Sequence, residues 1–284
     1  MIDRVEVAIV VDNFCDRSGF KAEHGLSLLF DFRVDGERHR ILLDAGQTEG
    51  VFMGNLKALS WDSPNPRAVV ISHGHYDHTG GLLPFLNALP RPVPVVIHPE
   101  AWGPRLMIKP FLRNVGMRFS ASDVSGTGSW VIPASGPIPI CPGVHTSGTI
   151  PRREPTEAHT PFSRIVNGAL VEDPIMDDTA LVFDLGEKGV IVATGCCHAG
   201  VVNTVTQALK LTGRQKLKAL IGGLHLSDVG PERLARTVAF LKEKNVERVI
   251  PLHCTGRREI YALLELLGDK VRLGGAGDVI VLAE

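Results

Sequence analysis

One stretch, His73-Gly74-His75-Tyr76-Asp77-His78-Thr79-Gly80-Gly81, constrains the fold of this chain more than any other feature of the sequence. It places three imidazoles and a carboxylate within six residues, directly after the apolar run 68–71. Such side chains cost several kcal/mol each to bury without partners, and a divalent cation is the simplest partner that satisfies all of them. The stretch therefore predicts a metal site at the end of a buried strand; the alternative is a surface turn that is rich in histidine by chance.

The spacing within this stretch favours two ions over one. Side chains alternate along extended backbone, so His73 and His75 point to the same side and can reach one cation. Asp77 and His78 are adjacent and diverge, and the Thr79-Gly80-Gly81 segment after them is typical of the entry into a short helix. We therefore expect two metals roughly 3.5–4 Å apart with a water between them.

Three more histidines follow apolar runs that are typical of strands. His198 comes after 190–193, His225 after 220–224 and His253 after 249–252. In α/β sheets the crevice beyond the carboxyl ends of the strands is where sites are built, so we expect these imidazoles at one edge. His225 is either a ligand or, as we favour, a catalytic group that donates to the substrate. The expected ligands are His73, His75 and His198 for one metal and Asp77, His78 and His253 for the other.

The first motif, His-x-His-x-Asp-His followed by Gly-Gly after a strand, resembles the signature of the metallo-β-lactamase superfamily. Glu23-His24-Gly25-Leu26-Ser27, the 194–200 segment and His253-Cys254-Thr255-Gly256 resemble its branch of dihydropterin synthase-like enzymes. The resemblance spans nearly the whole chain and implies an α/β fold, an αβ/βα sandwich with a dinuclear metal site at the sheet edges. It also implies that His24 lies near the metal cleft as a substrate contact, although a structural role for this histidine is the alternative.

The chain departs from the wider superfamily at the position of a bridging aspartate. That strand end holds Gly195-Cys196-Cys197-His198 instead, so a cysteine could replace the carboxylate, or both cysteines could be small turn residues. Asp178 is a further carboxylate candidate, and His145 lies near another expected ligand position. The number of metals that the chain can bind depends on which side chain takes the place of the bridging carboxylate.

Bulk composition excludes several classes of protein. The 284 residues include 30 basic and 31 acidic side chains, so bulk charge favours neither nucleic acid nor a membrane surface as a partner. No apolar run approaches membrane length. Five cysteines without a CxxC pair fit neither a disulfide framework nor a zinc ribbon, which predicts a cytoplasmic location. The sequence does not predict the oligomeric state.

The length allows either one sizeable α/β domain or two fused halves, and the resemblance implies one domain over 1–284. An antiparallel meander opens the chain, and strands alternate with helices in its last third, which implies parallel pairing there. Between these parts, at about 99–176, proline and glycine are dense, and such a stretch is typical of an irregular cap. Arg105 and Lys109 of this segment are expected to bind a flat, anionic substrate, although an ordinary solvated insertion is the alternative.

The expected chemistry follows from the ligand types. Histidine with carboxylate suits zinc first, with manganese or iron as alternatives. A water activated by the metals and oriented by Asp77 would attack a phosphoester or another anionic small molecule, so we expect a hydrolase. The alternative, implied by the resemblance to the branch, is a synthase that joins a pterin diphosphate to an arylamine ribofuranosyl phosphate. A diiron flavoprotein is disfavoured because its motif typically has Glu where His75 stands, and a non-catalytic protein because the first motif is intact.

Overall fold

The computed structural model describes residues 1–60, 65–157, 161–227 and 229–284. In chain order, the strands among them are β1 (Ile2–Val11), β2 (Ser27–Val34), β3 (Glu37–Leu43), β4 (Ala68–Val70), β5 (Pro94–Ile97), β6 (Leu106–Met107), β7 (Arg113–Asn114), β8 (Trp130–Pro133), β9 (Pro139–Cys141), β10 (Val144–Thr146), β11 (Phe162–Val166), β12 (Ala169–Glu172), β13 (Ala180–Asp184), β14 (Val190–Thr194), β15 (Leu217–Gly223), β16 (Arg248–Leu252) and β17 (Val279–Ala283). The α-helices are α1 (Glu49–Ala58), α2 (Tyr76–Thr79), α3 (Leu82–Ala88), α4 (Ala121–Gly126), α5 (Val201–Thr212), α6 (Pro231–Glu243) and α7 (Arg257–Leu267). Within these described ranges, no helix is long and apolar enough to cross a membrane.

The first sheet begins with the predicted antiparallel meander and continues with parallel strands. Its strand order is β17-β1-β2-β3-β4-β5-β8. Asp35 and Gly36 connect β2 to β3 with φ angles of 50° and 83°, because a two-residue hairpin turn of this hand needs positive φ at both positions. From β3 onward the strands are parallel, so β4 ends at the same edge as β3 and β5.

The second sheet has the order β16-β15-β14-β13-β10-β9. β14, β15 and β16 are parallel, as the alternation of strands and helices in the last third predicts. Because parallel strands end at a common edge, the segments that follow Thr194, Gly223 and Leu252 lie side by side.

The two sheets pack face to face, and helices cover their outer faces. Alternation along β1 sends Val7 and Ile9 into the core between the sheets, whereas Val10 packs outside with Phe52 of α1. The rings of Phe30 and Phe183 meet across the interior with centroids 5.0 Å apart. Side chains of α5, α6 and α7 cover the second sheet. The layers are those of the predicted αβ/βα sandwich.

The segment at 99–176 is more regular than its composition indicates. β8 extends the first sheet and β9 and β10 extend the second, while β6, β7, β11 and β12 form a separate four-stranded sheet. These strands are two to five residues long and are interrupted by proline and glycine, so they leave no periodic pattern in the sequence. Residues 158–160 of this segment lie outside the described residues.

Candidate metal centre and cleft

The His73–His78 segment begins three residues after β4 and enters α2, with His75 directly before the helix. Gly74 packs so closely on Ala101 that an added Cβ would lie 1.8 Å from the Ala101 carbonyl oxygen, so only glycine fits there. The Gly74 N–H donates to Asp177 Oδ2 at 2.8 Å. These contacts fix the backbone from which the predicted ligands extend.

His73, His75 and His198 form one group, the three-histidine cluster. Their candidate ligand nitrogens lie within 4.8 Å of one another, and His73 Nε2 is 2.9 Å from His75 Nδ1. All three side chains are buried, and the Nε2 atoms of His75 and His198 have no hydrogen-bond partner in the described part of the chain. Burial is the main cause that lowers the pKa of each ring well below its usual value. The rings are therefore neutral and carry free lone pairs.

Asp77, His78 and His253 form a second group, the aspartate cluster. His253 Nε2 is 3.3 Å from both His78 Nε2 and Asp77 Oδ2, and His78 Nε2 is 3.6 Å from the same carboxylate oxygen. All three side chains are buried. The structure thus brings the six predicted ligands together at one edge, where β4, β14 and β16 end.

Opposite charges shift the pKa values in the aspartate cluster. Burial alone would raise the pKa of Asp77, but the imidazoles of His78 and His253 outweigh it and bring the pKa well below its usual range. Burial alone would lower the pKa of His78, but the carboxylates of Asp44 and Asp77 outweigh it and raise the pKa to about 9. This cluster therefore favours a positive charge in its centre.

The carboxylate of Asp44 orients one histidine in each cluster. Ser72 Oγ donates to Asp44 Oδ2 at 2.6 Å, so the Ser72 oxygen must accept from His73 Nδ1, which lies 2.8 Å away. Asp44 Oδ2 also accepts from His78 Nδ1 at 2.7 Å. Because both rings keep a proton on Nδ1, each can present the lone pair of Nε2 to its cluster.

The amide of Asn13 orients the ring of His253, as Asp44 orients the rings of His73 and His78. Asn13 Oδ1 accepts the backbone N–H of Gly25 at 3.2 Å, which fixes the orientation of the amide, and it accepts from His253 Nδ1 at 2.8 Å. Asp12 Oδ1 accepts the backbone N–H of His253 at 2.7 Å. The Nε2 atoms of several rings thus converge, and lone pairs this close repel one another unless a cation lies between them. The side chains present therefore fit divalent metals.

The two adjacent cysteines that follow β14 lie in different surroundings. Cys196 Sγ is 3.1 Å from His78 Nε2 and lies within 4.8 Å of ligand nitrogens of His73 and His78. Cys197 packs in the core between the second sheet and its helices, with its Sγ 3.4 Å from Thr204 Oγ1. Cys196 thus offers a thiol between the clusters, and Cys197 is a small core residue.

An open cleft of about 670 Å³ adjoins both clusters, a size that suits a small-molecule ligand. His24 lines it, with Nε2 3.2 Å from Asp77 Oδ2. His225 also lines it, with its ring centroid 4.4 Å from that of His198 and with an Nδ1 atom that no described residue hydrogen-bonds. Phe162, from the small third sheet, forms part of the opposite wall.

Arg105 does not line the cleft, contrary to the prediction that it contacts substrate. Its guanidinium is buried and donates to Asp173 Oδ2 at 2.9 Å and to Asp177 Oδ1 at 2.6 Å. Because Asp177 also accepts the N–H of Gly74, Arg105 stabilises the loop that carries the candidate ligands His73 and His75 instead. Lys109 is exposed and is absent from the described residues that line the cleft.

The two further candidates lie outside the clusters. Asp178 is buried and accepts the N–H of Ala199 at 2.8 Å, and burial raises its pKa to about 6. His145 lies in β10, which pairs with β9 and β13. Neither side chain belongs to a potential metal-ligand group found within the described ranges.

Three residues that orient the candidate ligands, Asp12, Asn13 and Asp44, were not predicted from the sequence. Asp12 and Asn13 directly follow β1, and Asp44 directly follows β3. A polar residue just past an apolar strand is the same signal that predicted His198 and His253. Applied to carboxylates and amides as well as to histidines, it would have identified all three.

Comparisons with known proteins give consistent results. Residues 25–171 match the family model of the metallo-beta-lactamase superfamily. A 7,8-dihydropterin-6-methyl-4-(beta-D-ribofuranosyl)-aminobenzene-5'-phosphate synthase of Methanocaldococcus jannaschii is 29% identical over 98% of this chain and 97% of that protein. An uncharacterized protein of the same organism is 30% identical over 92% of this chain and 94% of that protein. A crystal structure described as a metal-dependent hydrolase of the beta-lactamase superfamily superposes with a TM-score of 0.81 and 26% identity, over 99% of this chain and 100% of that chain.

Proposed function

The chain belongs to the metallo-beta-lactamase superfamily, and from this premise we propose that it is a metal-dependent hydrolase of a phosphoester or another anionic small molecule. The observation that carries the proposal is the convergence of two clusters of candidate ligands beside an open cleft, with imidazole nitrogens directed at one another. We further propose that residues 1–284 act as one domain, in which part of the 99–176 segment forms a wall of the cleft.

Each cluster would hold one divalent ion. His73, His75 and His198 would bind the first, and Asp77, His78 and His253 the second. Zinc suits this set best because imidazole nitrogens dominate it, with manganese or iron as alternatives where the carboxylate takes part. Ions bound there would supply Lewis acidity and lower the pKa of a water toward neutrality.

Side chains of the chain itself would direct the reaction. Asp77, whose pKa is well below its usual range, is ionised at neutral pH and would orient the attacking water. His225 would donate a proton to the leaving oxygen, because it lines the cleft and has a ring nitrogen that no described residue engages. His24, beside Asp77 at the mouth of the cleft, would contact the substrate. Tyr76 and Phe162 would exclude water with their rings.

A second candidate is a transferase that joins a pterin diphosphate to an arylamine ribofuranosyl phosphate. The observation that favours it is the similarity to the synthase of Methanocaldococcus jannaschii over nearly the full length of both proteins. In that reaction the amine would attack in place of water, and the same clusters would stabilise charge on the departing diphosphate.

Product analysis separates the two candidates. The metal-loaded protein is incubated with a panel of phosphodiesters and, separately, with a dihydropterin diphosphate with and without an arylamine. Cleavage of a phosphoester that is lost in Asp77→Asn supports the hydrolase. Diphosphate release that requires the amine supports the transferase, and no turnover in either assay contradicts both.

A further inference from the structure

Arg233, in the first turn of α6, is a buried cation that lines the cleft. The residue is only 5% exposed, and its Nε and Nη2 atoms have no hydrogen-bond partner within the described ranges. A buried charge without a partner is costly, and the cost is removed when an ion of opposite sign binds it. The position of Arg233 therefore points to an anionic ligand in the cleft.

Glu157, an acid that Arg233 affects electrostatically, is not hydrogen-bonded to it within the described ranges. Glu157 lies close enough for Arg233 to oppose the upward shift that burial causes in the pKa of Glu157. However, Glu157 Oε1 accepts the N–H of Val202 at 2.9 Å, and Oε2 accepts the N–H of Asn203 at 3.1 Å. The carboxylate is thus committed to the first turn of α5, and Nε and Nη2 of Arg233 keep no hydrogen-bond partner within the described ranges.

The backbone around Arg233 adds to its positive potential. The loop from β15 to α6 carries His225 at its start, and α6 begins at Pro231 after Gly230, which has no side-chain capping bond. The first N–H groups of a helix lack intrahelical partners and carry the positive end of the helix dipole. Arg233 in this first turn and Val229 just before the helix both line the cleft, as does His225.

The other arginine that lines the cleft differs from Arg233. Arg113 is exposed, its Nη2 donates to Met107 Sδ at 2.8 Å, and its guanidinium lies 5.9 Å from the ring centroid of Phe111. A solvated cation with these contacts gains little from an anion. Arg233 is thus the stronger candidate.

We propose that Arg233, together with the first turn of α6, binds a phosphate group of the substrate. The proposal rests on the proposed function in that the bound group would belong to the molecule that reacts at the two clusters. The planar guanidinium would bind two oxygens of a phosphate, and helix N–H groups would bind the others. The substrate class is then a compound that carries a phosphate group apart from the bond that is cleaved or formed.

The test measures binding of inorganic phosphate to the metal-free protein by isothermal titration calorimetry. We expect Arg233→Met to weaken phosphate binding roughly 10- to 100-fold, because it removes two charge-assisted hydrogen bonds. Arg236→Met is the matched control, since Arg236 lies one turn further along α6 and pairs with Glu154 at 2.9 Å, away from the lining of the cleft. It should change the affinity less than about twofold. Equal affinity in wild type and Arg233→Met would overturn the proposal.

Thermal unfolding distinguishes a binding role from a structural one. Without phosphate, Arg233→Met should unfold near the wild-type temperature, because removing a buried charge that no hydrogen bond satisfies offsets the loss of its attraction to Glu157. It should also lose the rise in melting temperature that phosphate gives the wild type. A lower melting temperature together with an unchanged response to phosphate would assign Arg233 a structural role and overturn the proposal.

Arg233→Lys covers the case in which the methionine variant fails to fold. It keeps the charge but loses the planar fork, so phosphate affinity should fall clearly below that of the wild type. An unchanged affinity would refute the bidentate contact. Because these measurements use metal-free protein, a wrong assignment of the metal clusters would abolish neither the binding of phosphate nor its dependence on Arg233.

Discussion

The two ligand clusters lie side by side, yet they differ in how they carry charge. In the three-histidine cluster burial lowers the pKa of every ring, so the cluster is neutral. In the aspartate cluster burial also disfavours charge, but Asp44 and Asp77 outweigh it and raise the pKa of His78 to about 9. The nearby carboxylates therefore decide whether a buried imidazole is charged.

This difference has a consequence for the protein without metal. A proton on His78 can take the place of the cation in the aspartate cluster, because it relieves the repulsion between facing nitrogens. In the three-histidine cluster none of the three members is a carboxylate, and the attraction of Asp77 for a proton on His75 is outweighed by burial. We expect this cluster to depend more strongly on its ion, and the predictions that follow test this contrast.

Removing one ligand from each cluster is the strongest test. We expect His198→Ala and Asp77→Asn each to lower turnover at least roughly 100-fold, since each would lose the ion of its own cluster or the group that orients water. Metal content, measured by mass spectrometry after dialysis, should fall from two ions to one in each variant. His145→Ala, a histidine in β10, should keep both ions. If either variant loses both, the clusters are one site.

The pH dependence of stability should have opposite signs in the two clusters of the metal-free protein. The folded pKa of His78, about 9, lies above its ordinary value of 6.5, so its contribution is complete below pH 6.5 and is lost as pH rises toward 9. The loss is at most about 3 kcal/mol. The lowered pKa of His198 gives a contribution that is present above pH 6.5 and is lost as pH falls.

Urea unfolding of metal-free protein between pH 6 and pH 9 checks this expectation. The wild type should lose stability across the interval, and His78→Gln should lose much less. A wild-type stability that rises with pH over this interval would contradict the assignment of the proton to His78.

The residues that orient the rings allow the clusters to be weakened selectively. Asn13→Ala should weaken the ion of the aspartate cluster about 10- to 100-fold, because only His253 depends on Asn13. Asp44→Asn should weaken both ions, because Asp44 acts on His73 through Ser72 and on His78 directly. Competition with a chromophoric chelator measures both affinities. Asn55→Ala is the control, since that buried amide bonds Val10 and Lys21 instead; an effect of Asn13→Ala on both ions would contradict the assignment.

The smallest effects concern the two cysteines. With cobalt(II) in the site, Cys196→Ser should weaken a thiolate-to-cobalt absorption band that Cys197→Ser retains, because of these two cysteines Cys196 lies beside the candidate ligands and Cys197 packs in the core. Cys197→Ser should instead lower the free energy of unfolding by about 1 kcal/mol, since it places a hydroxyl in an apolar core. A thiolate band of unchanged intensity in Cys196→Ser would show that this thiol is not a ligand.

Sequence patterns predicted the parts of the site that depend on local geometry or on strand ends. His73 and His75 share a side because side chains alternate, and His198 and His253 meet them because parallel strands end at one edge. The antiparallel meander and the parallel pairing in the last third followed from the apolar patterns, and the αβ/βα layers from the resemblance to the metallo-β-lactamase superfamily. The positions of the histidines and the pairing of the strands could both be predicted because each depends on the order of residues within one short segment.

Arg105 shows where this kind of inference fails. Its partners, Asp173 and Asp177, are about 70 residues away in the chain, and they are brought close by a small sheet with strands too short to leave a periodic pattern. Residue type alone does not distinguish an arginine that faces a ligand from one that pairs with buried carboxylates. The distinction depends on which residues lie beside the arginine in the folded chain. Arg233 was missed for the same reason, since its burial and its lack of a partner are properties of the packed structure.

The hydrogen bond between Asn13 and His253 joins residues 240 positions apart. During synthesis the amino-terminal half leaves the ribosome with His73 and His75 in place, but His198 and His253 do not yet exist. Metal binding by both clusters together would therefore require that the chain has been synthesised at least as far as His253.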